Sequence, residues 1–246
     1  MYNNAYPTVF AHRGACEHAL ENSLKAFKKA WELGADGIEL DIQLSKEGIP
    51  VVYHDPQLSR LAGSNKLVNE CSLEQLQSFK LGKPWKRLFS AYTIPTFEEV
   101  LVWANQRQMP LNIELKSTVL ENTDALFRML DGLQLPEGSH FSSFHYELLK
   151  IVKQYAPQFE TALIATKKLN WDLLRDYQAI DCVHAHKKYY KPRYLEACVA
   201  NDKTCRFYAI DGSEKFITNP HPIVIGWITD FPDRVIKEQK RTNSIL

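Results

Sequence analysis

The stretch from Asp36 to Asp55, DGIELDIQLSKEGIPVVYHD, constrains the fold most. From Ile38 to Leu44 apolar and polar residues alternate strictly. Ile38, Leu40, Ile42 and Leu44 point one way; Glu39, Asp41 and Gln43 point the other. This is the period of a strand between two unlike environments. Glu39 and Asp41 share a face, with Cα atoms roughly 6–7 Å apart. A turn follows at Lys46-Glu47-Gly48, then a second apolar run, Pro50 to Tyr53, that ends on His54-Asp55. Paired carboxylates on one strand and an acid–base side chain at the end of the next make half an active site.

The rest of the chain repeats a strand–helix rhythm. Thr8 to Ala11 reads as a strand tipped by His12-Arg13-Gly14. Asn22 or Ser23 caps a helix with a stripe at Leu24, Phe27, Ala30 and Trp31, stopped by Gly34. Residues 56–95 have poor periodicity and many turn residues, with one short helix from Ser72 to Phe79; they read as an insertion over one end of the fold. Alternation resumes with a capping-box pattern at Thr96 and Glu99. LNIELK, Leu111 to Lys116, repeats the two-faced strand. Further strands are expected at 140–144, 161–165, 180–185, 205–210 and 223–229. Helices are expected near 120–130, 148–155, 171–177, from Pro192 and from Pro232. About eight strands alternating with helices imply parallel strands joined by crossovers. At 246 residues the candidates are a closed (β/α)8 TIM barrel and an open doubly wound sheet. No GxGxxG opens the chain, and the polar tips fall at strand C-terminal ends, where barrels carry chemistry. The expectation is one barrel domain over residues 1–246 with a small insertion at 56–95, after the second strand region.

A net charge of +1 gives no bulk electrostatic case for nucleic acid. Lys187-Lys188-Tyr189-Tyr190-Lys191 reads as a solvated loop, as does the pair His184 and His186. The 5 cysteines show no metal spacing and read as reduced, packing thiols. No apolar run approaches the ~20 residues of a membrane span, and the N-terminus lacks the basic and apolar regions of a signal peptide. Cytoplasmic localisation and no stable membrane insertion are therefore expected.

If Glu39, Asp41 and Glu114 converge, each carboxylate pair at ~5 Å repels by roughly 3 kcal/mol at an effective dielectric near 20. Two readings fit. One is an all-oxygen site for a divalent cation, Mg²⁺ or Ca²⁺; the other is a set of barrel-interior ion pairs with Lys116 and Arg13. His12 and His54, both at strand ends, suit a general acid and base in phosphoryl chemistry, with Arg13 and Lys116 on the phosphate oxygens.

AHRG with ENS shortly after it, GADGIELDIQLSKEGIPVVYHDPQLSR, IPTFEEVL, NIELK, SSF and ITDFPD together resemble the glycerophosphodiester phosphodiesterase family, in particular its short bacterial cytoplasmic type. The resemblance runs from Phe10 to about Asp233. It implies a (β/α)8 barrel with an insertion after the second strand. It also implies hydrolysis of a small-molecule glycerophosphodiester to glycerol 3-phosphate and an alcohol, through a cyclic phosphate. His12 and His54 match the catalytic histidines, and Glu39, Asp41 and Glu114 the ligands of one divalent cation. Arg13 and Lys116 match the phosphate contacts, with Phe144 of SSF also on the substrate. Tyr208 stands where the family commonly has a tryptophan against the glycerol. Glu21 of ENS is expected to steady Arg13 or the metal site. Trp227 is bulky where smaller residues are usual. The alternatives are lysophospholipase D-like action on lysolipids, for which Leu58, Leu61, Leu67, Leu81, Trp85 and Leu88-Phe89 are candidate apolar surface, and a non-catalytic phosphodiester-binding barrel. The sequence leaves open which alcohol leaves and the oligomeric state.

Overall fold

The structure, a computed structural model, describes residues 6–85 and 87–241. Eight parallel strands close on themselves: β1 (Thr8–His12), β2 (Gly37–Leu44), β4 (Leu111–Leu115), β5 (His140–Ser143), β6 (Glu160–Ile164), β7 (Cys182–His186), β8 (Thr204–Ile210) and β9 (Val224–Thr229). The β1–β2 pairing seals the ring, so the closed barrel holds and the open sheet is excluded. The helices α1 (Leu24–Glu32), α4 (Phe97–Arg107), α5 (Thr123–Leu130), α6 (Tyr146–Tyr155), α7 (Pro192–Ala200) and α8 (Pro232–Arg241) follow strands around it.

The alternation in β2 explains the layering. Ile38, Leu40, Ile42 and Leu44 join Phe27, Val100 and Leu126 in the core between barrel and helices. Glu39, Asp41 and Gln43 are equally buried but belong to the interior. That interior carries polar groups at several levels, among apolar ones such as Phe10, Ile164 and Ile228. Arg206 pairs with Glu160 across the barrel. Its stem runs over Gly226, where a Cβ would come within 3.1 Å of the arginine side chain. The His140 ring packs edge-on between Phe10 and His184, with centroids 5.1 and 5.3 Å away.

The second apolar run is not a barrel stave. It forms β3 (Pro50–Val52), antiparallel to β2, so His54 reaches the barrel mouth on a hairpin. Beyond it, α2 (Ser59–Ala62), α3 (Leu73–Ser78) and short 3₁₀ turns share a core of their own, including Tyr53, Leu58, Val68, Leu76, Leu81 and Ile94.

Several local expectations shift. Ser23, not Asn22, caps α1. In its stripe Phe27 and Ala30 are buried beside Ala26, but Leu24 and Trp31 are exposed, because a helix lying on a barrel buries a narrow line. α5 begins at Thr123, after a 3₁₀ turn at Ser117–Val119. Trp171–Asp176 is 3₁₀ rather than α, with Leu173 off helical values. His184 is not in a solvated loop; it is buried on β7. The cysteines are unbridged, and all but Cys16 are buried. Trp227 is buried outside the barrel wall, against Phe207, Phe216 and Tyr190.

Gly37 opens β2 directly over the Phe10 ring: a Cβ there would lie 2.3 Å from a ring carbon. The ring cannot step aside, being held by His140 and by Arg206, whose guanidinium is 5.8 Å from its centroid. Gly37→Ala is therefore expected to cost about 1–3 kcal/mol by overpacking, read as a lower urea midpoint at unchanged m-value; an unmoved midpoint would contradict this packing.

Candidate active site

The site is built on strand register. His12 of β1 lies beside Glu39 of β2, Asp41 beside Glu114 of β4, and Glu114 beside Ser142 of β5. All face inward at the C-terminal end of the barrel. One oxygen from each of Glu39, Asp41 and Glu114 lies within 4.8 Å of the others, and all three residues are buried.

The two cations expected on phosphate are paired with these carboxylates. Lys116 Nζ lies 2.7 Å from Asp41 Oδ1 and donates to Glu114. Arg13 Nε is 3.3 Å from Asp41 Oδ2, its Nη1 donates to Glu21 at 2.9 Å, and its backbone N–H donates to Glu39 at 2.8 Å. Asp41 Oδ1 has the Lys116 ammonium as its one cationic neighbour, and a carboxylate oxygen has a second lone pair for a further ligand. Burial alone would raise the Asp41 pKa, but Lys116 and Arg13 outweigh it and hold the carboxyl down at about 2. Glu39 goes the other way: burial, then the Asp41 charge, push it up to about 7. Glu114 is raised by the same two causes. Two cations thus fail to satisfy three buried carboxylates, and the donors that remain are hard oxygens, which suits a divalent ion.

The histidines are each clamped by a carboxylate. His12 Nδ1 is 2.7 Å from Asp230, and His54 Nδ1 is 2.7 Å from Asp55. Such clamps fix the ring and leave Nε2 for chemistry. Their titrations diverge. Burial would lower His12, but Glu39 and the Asp230 hydrogen bond outweigh it and raise its pKa above the ordinary 6.5. Burial also lowers His54, and here Lys116 and Arg13 add to it, leaving its pKa below 6.5. Asp55 helps His54 less because it also accepts from Arg60 at 2.6 Å.

His12, Arg13, Glu39, His54, Glu114, Lys116, Phe144 and Tyr208 line one cavity of about 240 Å³, floored by Asn112, Ser142 and His184. Glu21 lies outside it. It holds Arg13 and is itself gripped by Arg60 at 2.6 and 2.7 Å. Tyr208 is aimed by a bulge at Ala209, where φ is +62° and the β8–β9 register slips. Arg13 and Asn22 also have positive φ, at 54° and 53°. Backbone strain of this kind gathers at sites that need an unusual geometry.

Sequence reasoning offered Asn22 only as a helix cap and Asp230 only as a polar strand tip, and gave no part in the site to Asp55 or Arg60. Asn22 donates to Asp41 at 2.7 Å and fixes the carboxylate from behind. Asp230 and Asp55 stand within the quoted motifs ITDFPD and VVYHDPQLSR; Arg60 closes the second. The signal was present, but nothing in strand periodicity says that these loop residues turn back onto the histidines.

The model of the glycerophosphoryl diester phosphodiesterase family matches residues 12–234. A glycerophosphodiester phosphodiesterase of Caldanaerobacter subterraneus subsp. tengcongensis is 32% identical over 235 residues, 93% of this chain and 96% of the relative. One from Bacillus altitudinis is 30% identical over 251 residues, with the same shares covered. Among solved structures, an Oleispira antarctica phosphodiesterase in complex with the product sn-glycerol-3-phosphate superposes with a TM-score of 0.82 at 27% identity, covering 95% of this chain and 96% of that one. A barrel with this site, matched by a family model over nearly its whole length and by relatives end to end, belongs to the glycerophosphoryl diester phosphodiesterase family.

Proposed function

We propose that the chain hydrolyses glycerophosphodiesters to glycerol 3-phosphate and a free alcohol, with His12 and His54 as general acid and base. The observation that carries this reading is the pair of carboxylate-clamped imidazoles on a cavity also lined by Glu39, Glu114, Arg13 and Lys116, with the Asp41 carboxylate grouped beside the two glutamates. Glu39, Asp41 and Glu114 would hold one divalent cation, Mg²⁺ or Ca²⁺. When bound, it supplies Lewis-acid stabilisation of charge growing on the phosphoryl oxygens.

The remaining roles fall to the chain's own groups. Arg13 and Lys116 take the non-bridging phosphate oxygens. Glu21, braced by Arg60, keeps Arg13 in place. Phe144 and Tyr208 wall the glycerol. His54, held neutral by burial and the nearby cations, accepts at Nε2 the proton of the glycerol 2-hydroxyl as that oxygen attacks phosphorus. His12, held protonated by Glu39 and Asp230, donates from Nε2 to the alcohol oxygen as its bond to phosphorus breaks. A cyclic glycerol phosphate forms. Water then opens it with the roles reversed: His12 takes the water proton and His54 returns one to the 2-oxygen. A hydroxyl on the substrate itself has a very high effective molarity.

Chelator-treated protein is expected to release glycerol 3-phosphate from glycerophosphocholine and glycerophosphoethanolamine only after Mg²⁺ or Ca²⁺ is restored. No release with either metal, from folded protein, would overturn the reading. His12→Ala and His54→Ala are each expected to melt like the wild type and lose at least ~10³-fold in turnover; near-normal turnover in both would remove the acid–base pair.

The pH profile follows from the two imidazoles. The base must be unprotonated, so the rate rises with pH through a His54 value below 6.5. The acid must be protonated, so the rate falls through a His12 value above 6.5. A bell spanning 6.5 is expected. In the residual activity of His54→Ala the acidic limb is expected to vanish while the alkaline limb stays; the opposite result would exchange the two roles.

A further inference from the structure

One loop of the insertion is used by neither the barrel nor the catalytic cavity. Its root is fixed. The Leu81 N–H donates to the Tyr92 carbonyl at 2.9 Å, and the Gly82 N–H to the Leu61 carbonyl at 3.0 Å. Arg87 Nε donates to the Gly82 carbonyl at 3.4 Å, and its guanidinium fills the space a side chain at Gly63 would need. On this anchored base the tip holds Trp85 and Phe89 outward, 70% and 91% exposed, the two most exposed large apolar side chains among the described residues. Of the leucines that the sequence offered as apolar surface, Leu58, Leu61 and Leu81 are buried and Leu67 is exposed.

The charge of the segment that carries the tip has one sign. From Gln75 to Phe97 the sequence holds Lys80, Lys83, Lys86 and Arg87 and neither Asp nor Glu. Lys86 lies outside the described residues and enters only by its charge. With a whole-chain charge of +1, the rest of the molecule is net negative, so the positive charge is concentrated here. Between this loop and the β1–α1 connection runs a groove of about 1220 Å³, lined by Leu20, Leu24, Leu81 and Tyr92 and by the charged Lys25, Lys83, Glu17 and Glu99. The β1–α1 connection starts at Arg13, which lines the catalytic cavity. Groove, loop and cavity therefore open on the same end of the barrel.

We propose that this loop docks the protein on an anionic bilayer surface, with Trp85 and Phe89 in the headgroup region and Lys80 and Lys83 against the lipid phosphates. A protein partner would need about 800 Å² from each side with matched shape, which two ring tips on a short loop do not offer. Partition into a lipid interface needs only exposed aromatic area and cations of one sign. Each cation held at such a surface raises partitioning about fivefold. The consequence for the enzyme is orientation: the catalytic mouth faces the membrane. This goes beyond the hydrolytic reading and does not rest on it, because binding is measured without turnover.

The test is co-sedimentation of the full chain with phosphatidylglycerol-rich vesicles and with pure phosphatidylcholine vesicles. Wild type is expected to pellet with the first and not the second, and to be released as salt rises from ~0.05 to ~0.5 M. Trp85→Ala/Phe89→Ala and, separately, Lys80→Glu/Lys83→Glu are each expected to lower the vesicle-bound to free ratio at least ~10-fold, with circular dichroism melting curves like the wild type. Wild type left in the supernatant at low salt, equal pelleting with the neutral vesicles, or full binding by either folded variant would overturn the proposal.

Discussion

Three buried carboxylates within one small volume set the terms for the mouth of this barrel. Each must be compensated, since a buried charge without a partner costs several kcal/mol. Lys116 and Arg13 are drawn onto Asp41 by that need, and Glu39 is left high enough in pKa to titrate near neutrality. Other placements follow. Asn22 accepts a positive φ to reach Asp41, Arg13 accepts one while its own N–H meets Glu39, and Glu21 with Arg60 extends the charge balance outward to the clamp on His54. The local geometry of the β1–α1 connection is in this sense a response to Asp41.

The same demand shapes the lower barrel. An arginine in a barrel core needs room and a counter-charge. Gly226 supplies the room and Glu160 the charge. His140 and His184 are both held neutral, with pKa values well below the ordinary 6.5, first by burial and then by that arginine. The usual filling of such a barrel is branched aliphatic. Here the aliphatics of β2 face the helices, and polar groups such as Arg206, His140 and His184 share the interior with Phe10, Ile164 and Ile228 up to the cavity.

Much of this was legible in the sequence because the strands are two-faced. Alternation in GIELDIQL and LNIEL set Glu39, Asp41 and Glu114 on the face opposite the aliphatic residues of their strands, and the capping box at Thr96 and Glu99 forms as its side chains dictate. What was not legible has physical reasons. Whether Pro50–Tyr53 is a stave or a hairpin depends on pairing direction, which periodicity does not encode. Trp31 and Tyr155 have the right helical spacing but lie past the edge of a narrow buried line, at 45% and 57% exposure. The strand around His184 was placed, yet its burial was missed because an inward imidazole and a solvated one have the same spelling. Asp230 and Asp55 act through tertiary return of loops onto the rings.

The two imidazoles ride on different carriages. His12 ends a strand of the closed ring, whose pairing on both sides makes it part of the most cooperative unit of the molecule. His54 follows a three-residue hairpin strand, β3, whose neighbour Tyr53 belongs to the separate core of the insertion. Small cores of this kind open independently of the rest. If His54 has the role proposed for it, heating or denaturant would silence the enzyme before it unfolds it, as the insertion loosens and His54 leaves a barrel that is still intact. The same division gives evolution a handle, since the insertion's outer surface is free to diverge so long as its core continues to deliver one histidine.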